Sequence, residues 1–169
     1  GDGAESSATG EQGIRAPQNV VSLSCLRRRT TVVRSKGQAT NHIIYMNNNQ
    51  LMTQAANNIR ILAASMVERA KSGHPGGAMG GADFVNVLFS EFLIFDPDAP
   101  TWSGRDRFFM DPGHMSPMLY AQLSLLGKYT MDELKQFRQW GSPTPGHPEV
   151  DVLRGVENTS GPLGQGHTF

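Results

Sequence analysis

The chain has little cysteine, no excess of charge of either sign and no long apolar segment. Its only cysteine, Cys25, cannot form an internal disulfide, and no other feature indicates an oxidising compartment. The 15 basic and 15 acidic residues give a formal net charge of zero, so no global field attracts nucleic acid or an anionic membrane. Apolar runs stay far below the roughly 20 residues that span a bilayer. We therefore predict a soluble, cytoplasmic protein of about one domain that binds neither nucleic acid nor membrane.

Residues 1–45 differ in composition from the rest of the chain. Gly, Ser, Thr, Gln and Arg dominate this segment and apolar periodicity is missing, so we expect it to be disordered. The apolar run at residues 20–26 precedes the arginines at 27–29, which is the reverse of the order in a secretory signal. A nucleic-acid patch at these arginines is disfavoured, because no aromatic residues are interleaved with them.

Apolar periodicity predicts two helices in the middle of the chain. Over residues 54–71, apolar side chains recur at helical spacing while charged side chains take the opposite face. Over residues 84–92, a broad apolar face indicates a helix that is buried on that face. A turn at residues 72–77 separates the two helices and carries His74 between Gly73 and Pro75.

Capping signals predict two further helices and one strand. Ser116 followed by Pro117 is a typical N-cap and N1 pair, and the helix that it opens ends near Gly127. Thr130 and Glu133 form a capping box that opens a short helix to about residue 138. Residues 106–110 are expected to form a short strand leading into a histidine loop. Strand ends followed by helix starts are where α/β folds bind their ligands.

The stretch from residue 142 to 166 is rich in proline and glycine, yet it carries acidic residues and a histidine, which is typical of a binding loop. Pro145 and Pro148 fix φ on either side of His147 and limit the positions of its imidazole. Glycines at 161–166 let a ligand approach the main chain, and Ser160 would cap a helix with exposed N–H groups there. A flat or anionic ligand is expected. The alternative is a cluster of turns with a stray histidine.

Three histidines in glycine-bearing loops, His74, His114 and His147, are candidates for one common pocket. His42 and His167 lack this setting. A zinc site is a competing interpretation, but no H-E-x-x-H or Cys/His spacing supports it. A serine hydrolase is disfavoured as well, because the chain contains no G-x-S-x-G elbow.

Four motifs together resemble the N-terminal part of transketolase. They are S-G-H-P-G at 72–76, G-H-x-S at 113–116, T-P-G-H-P-E at 144–149 and G-P-L-G-Q-G at 161–166. The match extends from about Asn57 to the chain end. The resemblance implies that residues 46–169 are part of an α/β thiamine diphosphate-binding domain, with a parallel sheet flanked by helices.

The resemblance also implies roles for the three histidines. His74 and His147 match catalytic positions: the first contacts substrate oxygens and helps to move protons, and the second hydrogen-bonds the hydroxyl end of the substrate. His114 matches a cofactor-binding histidine near the diphosphate and thiazolium. Neutral imidazoles suit these roles, because their pKa near neutrality lets them donate and accept protons.

The remaining cofactor contacts implied by the resemblance are made by Gly161, Pro162 and Leu163, which match the loop against the aminopyrimidine. In the family, the Mg²⁺ or Ca²⁺ ligands come from a Gly-Asp-Gly segment and an asparagine that follow the equivalent of Gly166. We therefore assign no metal ligand in this chain. The Gly-Asp-Gly at residues 1–3 has no strand before it and is interpreted as a chance match.

The activity implied is transfer of a two-carbon ketol unit from a ketose phosphate to an aldose phosphate. The 169 residues look like a fragment without the pyrimidine-binding and C-terminal domains. Because the family's active site lies between two subunits, a homodimer or a partner chain is expected, and the chain alone is predicted to be inactive. The alternatives are another thiamine diphosphate enzyme, such as 1-deoxyxylulose-5-phosphate synthase, and a non-catalytic module. The T-P-G-H-P-E motif favours transketolase.

Overall fold

The computed structural model of the chain describes residues 48–161. Two predictions lie outside this range: the disordered extension over residues 1–45 and the helix start within residues 161–166. In the described range the chain forms helices, turns and extended segments around one apolar core. The α-helices are α1 (Asn48–Ala70), α2 (Pro75–Gly80), α3 (Ala82–Val87), α4 (Ser116–Leu125) and α5 (Met131–Lys135). A π-helical turn (Leu88–Phe92) continues α3, and 3-10 turns occupy Gly113–Met115 and Val152–Arg154.

Helix α1 is the central element, because α2, α3, α4 and α5 all pack against it. The prediction of a helix over 54–71 is confirmed, although α1 begins earlier, at Asn48. One apolar stripe at helical spacing makes these contacts and is almost completely buried, whereas Ile61 on another face is half exposed. The buried stripe consists of Leu51, Ala55, Ile59, Leu62 and Met66. No helix in residues 48–161 is long and apolar enough to cross a membrane.

The predicted buried helix at 84–92 is only partly correct. Val85 and Phe89 are buried, but Phe84 and Phe92 are 65% and 70% exposed. Helix α3 packs on α1 and α4 on one side only, and the wider π-helical turn that follows it changes the direction in which successive side chains point. The apolar surface of this segment is therefore larger than the surface that the described elements cover.

The predicted strand at 106–110 is extended but is not part of a sheet, and the predicted parallel sheet is absent from residues 48–161. The only bridge described in this range is an isolated antiparallel one between Asp151 and Val156. At Met110 the side-chain amide of Asn158 takes the place of a neighbouring strand. The Met110 N–H donates to Asn158 Oδ1 (3.0 Å), and Asn158 Nδ2 donates to the Met110 carbonyl (3.3 Å). A strand needs a continuous backbone partner, whereas the backbone bond of this segment to another described segment is a single one, from the Asp106 N–H to the Ile94 carbonyl (2.7 Å).

Helix α4 is buried along almost its entire length. Its start differs from the prediction, because Ser116 is the first helical residue and the 3-10 turn places Met115 at the N-cap. The side chain of Ser116 is therefore free for another contact. The capping box of α5 is confirmed: the Thr130 N–H donates to Glu133 Oε2 (2.7 Å), and Thr130 Oγ1 accepts from the Glu133 N–H (3.2 Å).

Candidate functional site

His74 occupies the N-cap of α2, after a three-residue turn (71–73) that follows the end of α1. Gly73 turns the chain there with φ at +126°, and a Cβ at this position would lie 3.2 Å from Cγ2 of Val67. Both the backbone angle and the close contact favour glycine. The loop therefore presents an exposed imidazole at a fixed point beside α1. The sequence placed His74 in a turn but did not predict the short helix that follows it.

His114 lies in the 3-10 turn that leads into α4. The preceding residue, Gly113, is buried against the backbone at the end of the described range. A Cβ at Gly113 would lie 2.5 Å from the carbonyl oxygen of Ser160 and 3.1 Å from the nitrogen of Gly161. Only a residue without a side chain permits this approach, so the His114 turn and the Gly161 segment are held together.

The structure brings His74 and His114 into direct contact. Their ring centroids are 4.9 Å apart with an angle of 59° between the ring planes. The packing of α2 on α4 explains this proximity, since α2 and its C-cap present glycines to methionines at the N-cap and in the first turn of α4. A Cβ at Gly77 would lie 3.0 Å from Cγ of Met115, and one at Gly81 would lie 2.6 Å from Sδ of Met118.

The loop that carries His147 is anchored through three consecutive carbonyl groups. The oxygens of residues 144, 145 and 146 accept hydrogen bonds from the Arg138 N–H (3.0 Å), the Tyr120 hydroxyl (2.9 Å) and the Ser116 hydroxyl (2.7 Å), respectively. Because two of these donors belong to α4, the helix that begins beside His114 also fixes the position of the His147 loop. Neither hydroxyl was assigned to the site from the sequence, where Ser116 was interpreted as an N-cap.

His147 is exposed, yet its surroundings favour the neutral imidazole. Desolvation on its packed side is the main cause that lowers the pKa of His147, and the positive charges of Arg138, His114 and His74 lower it further. The coupling to both other histidines places the three side chains in one electrostatic neighbourhood. Their ring nitrogens make no hydrogen bond to any residue of the described range, so they remain available to a ligand.

The first residue of the final glycine-rich turn lies against His147. A Cβ at Gly161 would be 3.9 Å from Cβ of His147, and the Ser160 N–H donates to the Pro148 carbonyl (3.0 Å). The structure thus brings Gly161 together with the His114 and His147 loops, and His74 lies next to them through its contact with His114. Pro162 and Leu163 lie outside the described residues, and their predicted contacts remain predictions.

An open cleft of about 810 Å³ adjoins His147. Its walls include Arg138, Ser142, Glu149 and the fully exposed Trp140. Within residues 48–161, no cluster of three His, Cys, Asp or Glu side chains has the arrangement needed to hold a metal ion. The site therefore places three neighbouring imidazoles beside a wide opening, and this arrangement can bind a polar ligand and exchange protons with it.

Comparison with known proteins identifies the family. Residues 51–168 match the family model described as "Transketolase, thiamine diphosphate binding domain". The chain belongs to the transketolase family. The transketolase of Cereibacter sphaeroides is 54% identical over 116 residues, which cover 68% of this chain and 18% of that protein. Transketolase 1 of Escherichia coli K12 is 53% identical over 114 residues, covering 67% of this chain and 17% of the relative. "Transketolase-1, chloroplastic" of Arabidopsis thaliana is 40% identical over 161 residues, which cover 94% of this chain and 22% of that protein.

Solved transketolases share the fold of the described residues. The Leishmania mexicana enzyme superposes with a TM-score of 0.62 at 50% identity, over 68% of this chain and 17% of that one. The Campylobacter jejuni enzyme superposes with a TM-score of 0.63 at 47% identity, and the match covers 69% of this chain and 18% of that one. A Pichia stipitis transketolase was solved in complex with sedoheptulose-7-phosphate. It superposes with a TM-score of 0.63 at 42% identity, and the match covers 69% of this chain and 17% of that one. The chain thus spans about a fifth of the length of these transketolases. Because the relatives are transketolases, 1-deoxyxylulose-5-phosphate synthase is not favoured.

Proposed function

We propose that this chain supplies His74, His114 and His147 to a transketolase active site, which transfers a two-carbon ketol unit from a ketose phosphate to an aldose phosphate. Family membership supports the reaction class, because the chain matches the transketolase domain over most of its length. The observation that carries the assignment of residues is the convergence of separate loops. The His74 and His114 rings are in contact, and the His147 loop is anchored beside Gly161.

The described residues fit thiamine diphosphate as the cofactor. The turn that carries His114 packs on the Ser160–Gly161 backbone, because Gly113 has no side chain, and Gly161 carries no side chain either. We propose that His114 and residues 161–163 hold the cofactor, which, when bound, provides the carbanion chemistry of ketol transfer. The Mg²⁺ or Ca²⁺ that would accompany a diphosphate is proposed to bind residues outside 48–161.

The chain's own contribution is orientation and proton transfer. His74 is proposed to contact substrate oxygens, and His147 to hydrogen-bond the hydroxyl end of the substrate. Because the pKa of His147 is lowered, its imidazole is neutral at neutral pH, with one nitrogen that donates and one that accepts. This form suits a hydroxyl partner, which needs both functions.

The proposed substrates are sugar phosphates, in line with the Pichia stipitis transketolase that was solved with sedoheptulose-7-phosphate. We further propose that residues 46–169 form part of one cofactor-binding domain and that the working enzyme is a homodimer or includes a partner chain. A cytoplasmic location stays a prediction, and one relative is named as chloroplastic.

A chimeric enzyme tests the assignment directly. Residues 51–168 replace the matching segment of Escherichia coli transketolase 1, and ketol transfer between sugar phosphates is followed. We expect the chimera to be active and His74→Ala to lower kcat/KM by about 100-fold or more, as for loss of a general acid–base group. His147→Ala is expected to act mainly on KM, because it removes binding to the hydroxyl end. His167→Ala is the control, since the sequence gives His167 no part in the site.

Two results would contradict the proposal. One is an inactive chimera that is folded and loaded with cofactor, and the other is an active chimera in which His74→Ala and His147→Ala behave like the control. Separately, a polypeptide of these 169 residues alone is expected to show no ketol transfer and to bind thiamine diphosphate weakly or not at all. Turnover by that polypeptide would show that the site is complete without further chain.

A further inference from the structure

Arg138 occupies a position between two of the histidine loops. It follows the end of α5 and has φ at +62°, a left-handed conformation that is uncommon for a residue with a side chain. Its guanidinium packs beside the Phe137 ring, with Cζ 5.8 Å from the ring centroid. A conformation of this kind persists only where the surrounding contacts hold it.

On one side, Arg138 contacts the loop that leads to His74. Its Nη1 donates to Ser72 Oγ (2.8 Å), and a Cβ at Gly73 would lie 3.6 Å from its Nε. Ser72 and Gly73 are the two residues directly before His74. The guanidinium therefore reaches the backbone turn that sets the direction of this imidazole.

On the other side, Arg138 contacts the loop of His147. Its own N–H donates to the Thr144 carbonyl (3.0 Å). A Cβ at Gly146 would lie 2.6 Å from Nε and 3.0 Å from Cζ of Arg138, so the guanidinium rests directly on the backbone next to His147. Nε is buried there without a hydrogen-bond partner among the described residues, which normally costs stability. Contact with Gly146 is thus retained at the expense of a hydrogen bond.

We propose that Arg138 is a positioning residue that ties the His74 loop to the His147 loop through Ser72 on one side and Gly146 on the other. The inference rests on the proposed function, in that these loops are taken to form the site. Although Arg138 also lines the cleft, its described side-chain contacts are with the residues next to His74 and His147, so its proposed effect on the reaction is through the two histidines. Nothing in the four sequence motifs marks it, since it lies outside all of them.

Besides holding the two loops in place, Arg138 carries a positive charge that acts on the pKa of His147. The charged or titratable groups near His147 are Arg138, His114 and His74, with Glu149 in the same cleft. Desolvation is the main cause that lowers the pKa of His147, and a fixed cation beside it disfavours protonation further, so Arg138 contributes both to the placement and to the charge state of His147. Removing the charge and removing the hydrogen bond should therefore have separable consequences.

The test uses NMR titration of histidine ring protons in the full 169-residue chain, which does not depend on activity. In Arg138→Met the charge and the Ser72 hydrogen bond are both lost, and we expect the pKa of His147 to rise toward its ordinary value. In Arg138→Lys the charge stays, so the pKa of His147 stays close to that of the parent. Arg69→Met is the matched control, because Arg69 also bridges to the α5 region, through Nε to the Lys135 carbonyl (3.1 Å), but does not contact the histidine loops.

The tether itself is tested in Ser72→Ala, which removes the hydrogen bond and keeps the charge. We expect changed His74 ring shifts and loss of nuclear Overhauser contacts between the Arg138 side chain and residues 72–73. In the chimeric enzyme, Arg138→Met should lower kcat/KM by about 10- to 100-fold through misplacement of the histidines, with partial rescue in Arg138→Lys.

The outcomes separate this inference from the proposed function. An unchanged pKa of His147 in Arg138→Met, or the same change in Arg69→Met, would overturn the role of Arg138. Random-coil titration of His147 in the parent chain would overturn it too, because no tether would then exist. If the NMR results are as expected but the activity of the chimera is unchanged in His74→Ala and His147→Ala, the positioning role of Arg138 is supported and the proposed function is wrong.

Discussion

The close approach of Gly113 to Ser160 gives the sharpest prediction about this fold. In Gly113→Ala the new Cβ would lie 2.5 Å from the Ser160 carbonyl oxygen, 2.7 Å from its carbonyl carbon and 3.1 Å from the Gly161 nitrogen. All three atoms are backbone, so no side-chain rotation relieves the overlap. Either the His114 turn or the Ser160–Gly161 segment has to move, and the anchors at Pro148 and Asp111 resist this movement.

The size of the effect follows from these distances. An additional methyl group in a well-packed region lowers the free energy of unfolding by about 1–3 kcal/mol. Because the atoms that the new methyl group meets are backbone atoms, we expect the loss in Gly113→Ala to lie at the upper end of this range. The assay is urea unfolding of the 169-residue chain followed by circular dichroism. Gly80→Ala is the control: this residue lies in α2 and a Cβ there meets nothing within 4 Å. Alanine in a helix is expected to stabilise by about 0.5–1 kcal/mol relative to glycine.

The comparison of the two alanine variants decides the result. Free energies of unfolding that agree within about 0.5 kcal/mol for Gly113→Ala and Gly80→Ala would refute the close packing of the His114 turn on Ser160, because overpacking and helix propensity predict opposite signs. Amide shifts at Gly161 provide a local readout, and we expect them to change only in Gly113→Ala.

Three further predictions concern stability and pH. Gln122 is fully buried in α4, and its side-chain amide has no hydrogen-bond partner among residues 48–161. Methionine has nearly the shape of glutamine without the polar amide, so Gln122→Met should stabilise the chain by about 1–3 kcal/mol. A lower urea midpoint than that of the parent chain would contradict this. Thr130→Ala removes the capping box of α5 and should cost about 1 kcal/mol in the same assay, while Thr53→Ala, whose hydroxyl bonds within α1 on the exposed side, should change little. Burial raises the pKa of Tyr129 to about 12. Since an unfolded tyrosine titrates near 10, the free energy of unfolding should fall as the pH rises from about 10 to 12. Phenolate absorbance that titrates fully near pH 10 in the folded chain would show that the ring is not buried.

Local signals in the sequence predicted the local structure well. The apolar stripe of α1 and the Thr130–Glu133 capping box depend on residues within one or two turns of each other, so both were recognisable without the fold. The same holds for the glycine- and proline-flanked histidines, because the residues that restrict the backbone are immediate neighbours in the chain.

Predictions that depend on distant partners were less successful. The extended segment at 106–110 has strand-like character, but it pairs with the Asn158 side chain instead of a neighbouring strand. Exposure of Phe84 and Phe92 depends on which elements cover α3, and this is not encoded near those residues. Ser116 was expected to cap α4, yet the 3-10 turn before it frees its hydroxyl to hold the Gly146 carbonyl.

The sequence by itself determined helix α1, the capping box of α5 and which imidazoles stand in restricted loops, since periodicity, caps and backbone restriction act over a few residues. Only the tertiary structure decided that the ring centroids of His74 and His114 lie 4.9 Å apart. It also decided that Ser116 and Tyr120 hold the His147 loop by hydrogen bonds and that Arg138 lies between two of the histidine loops. These contacts join segments far apart in the chain. Their distances are set by the packing of α1, α2 and α4, which no local pattern specifies.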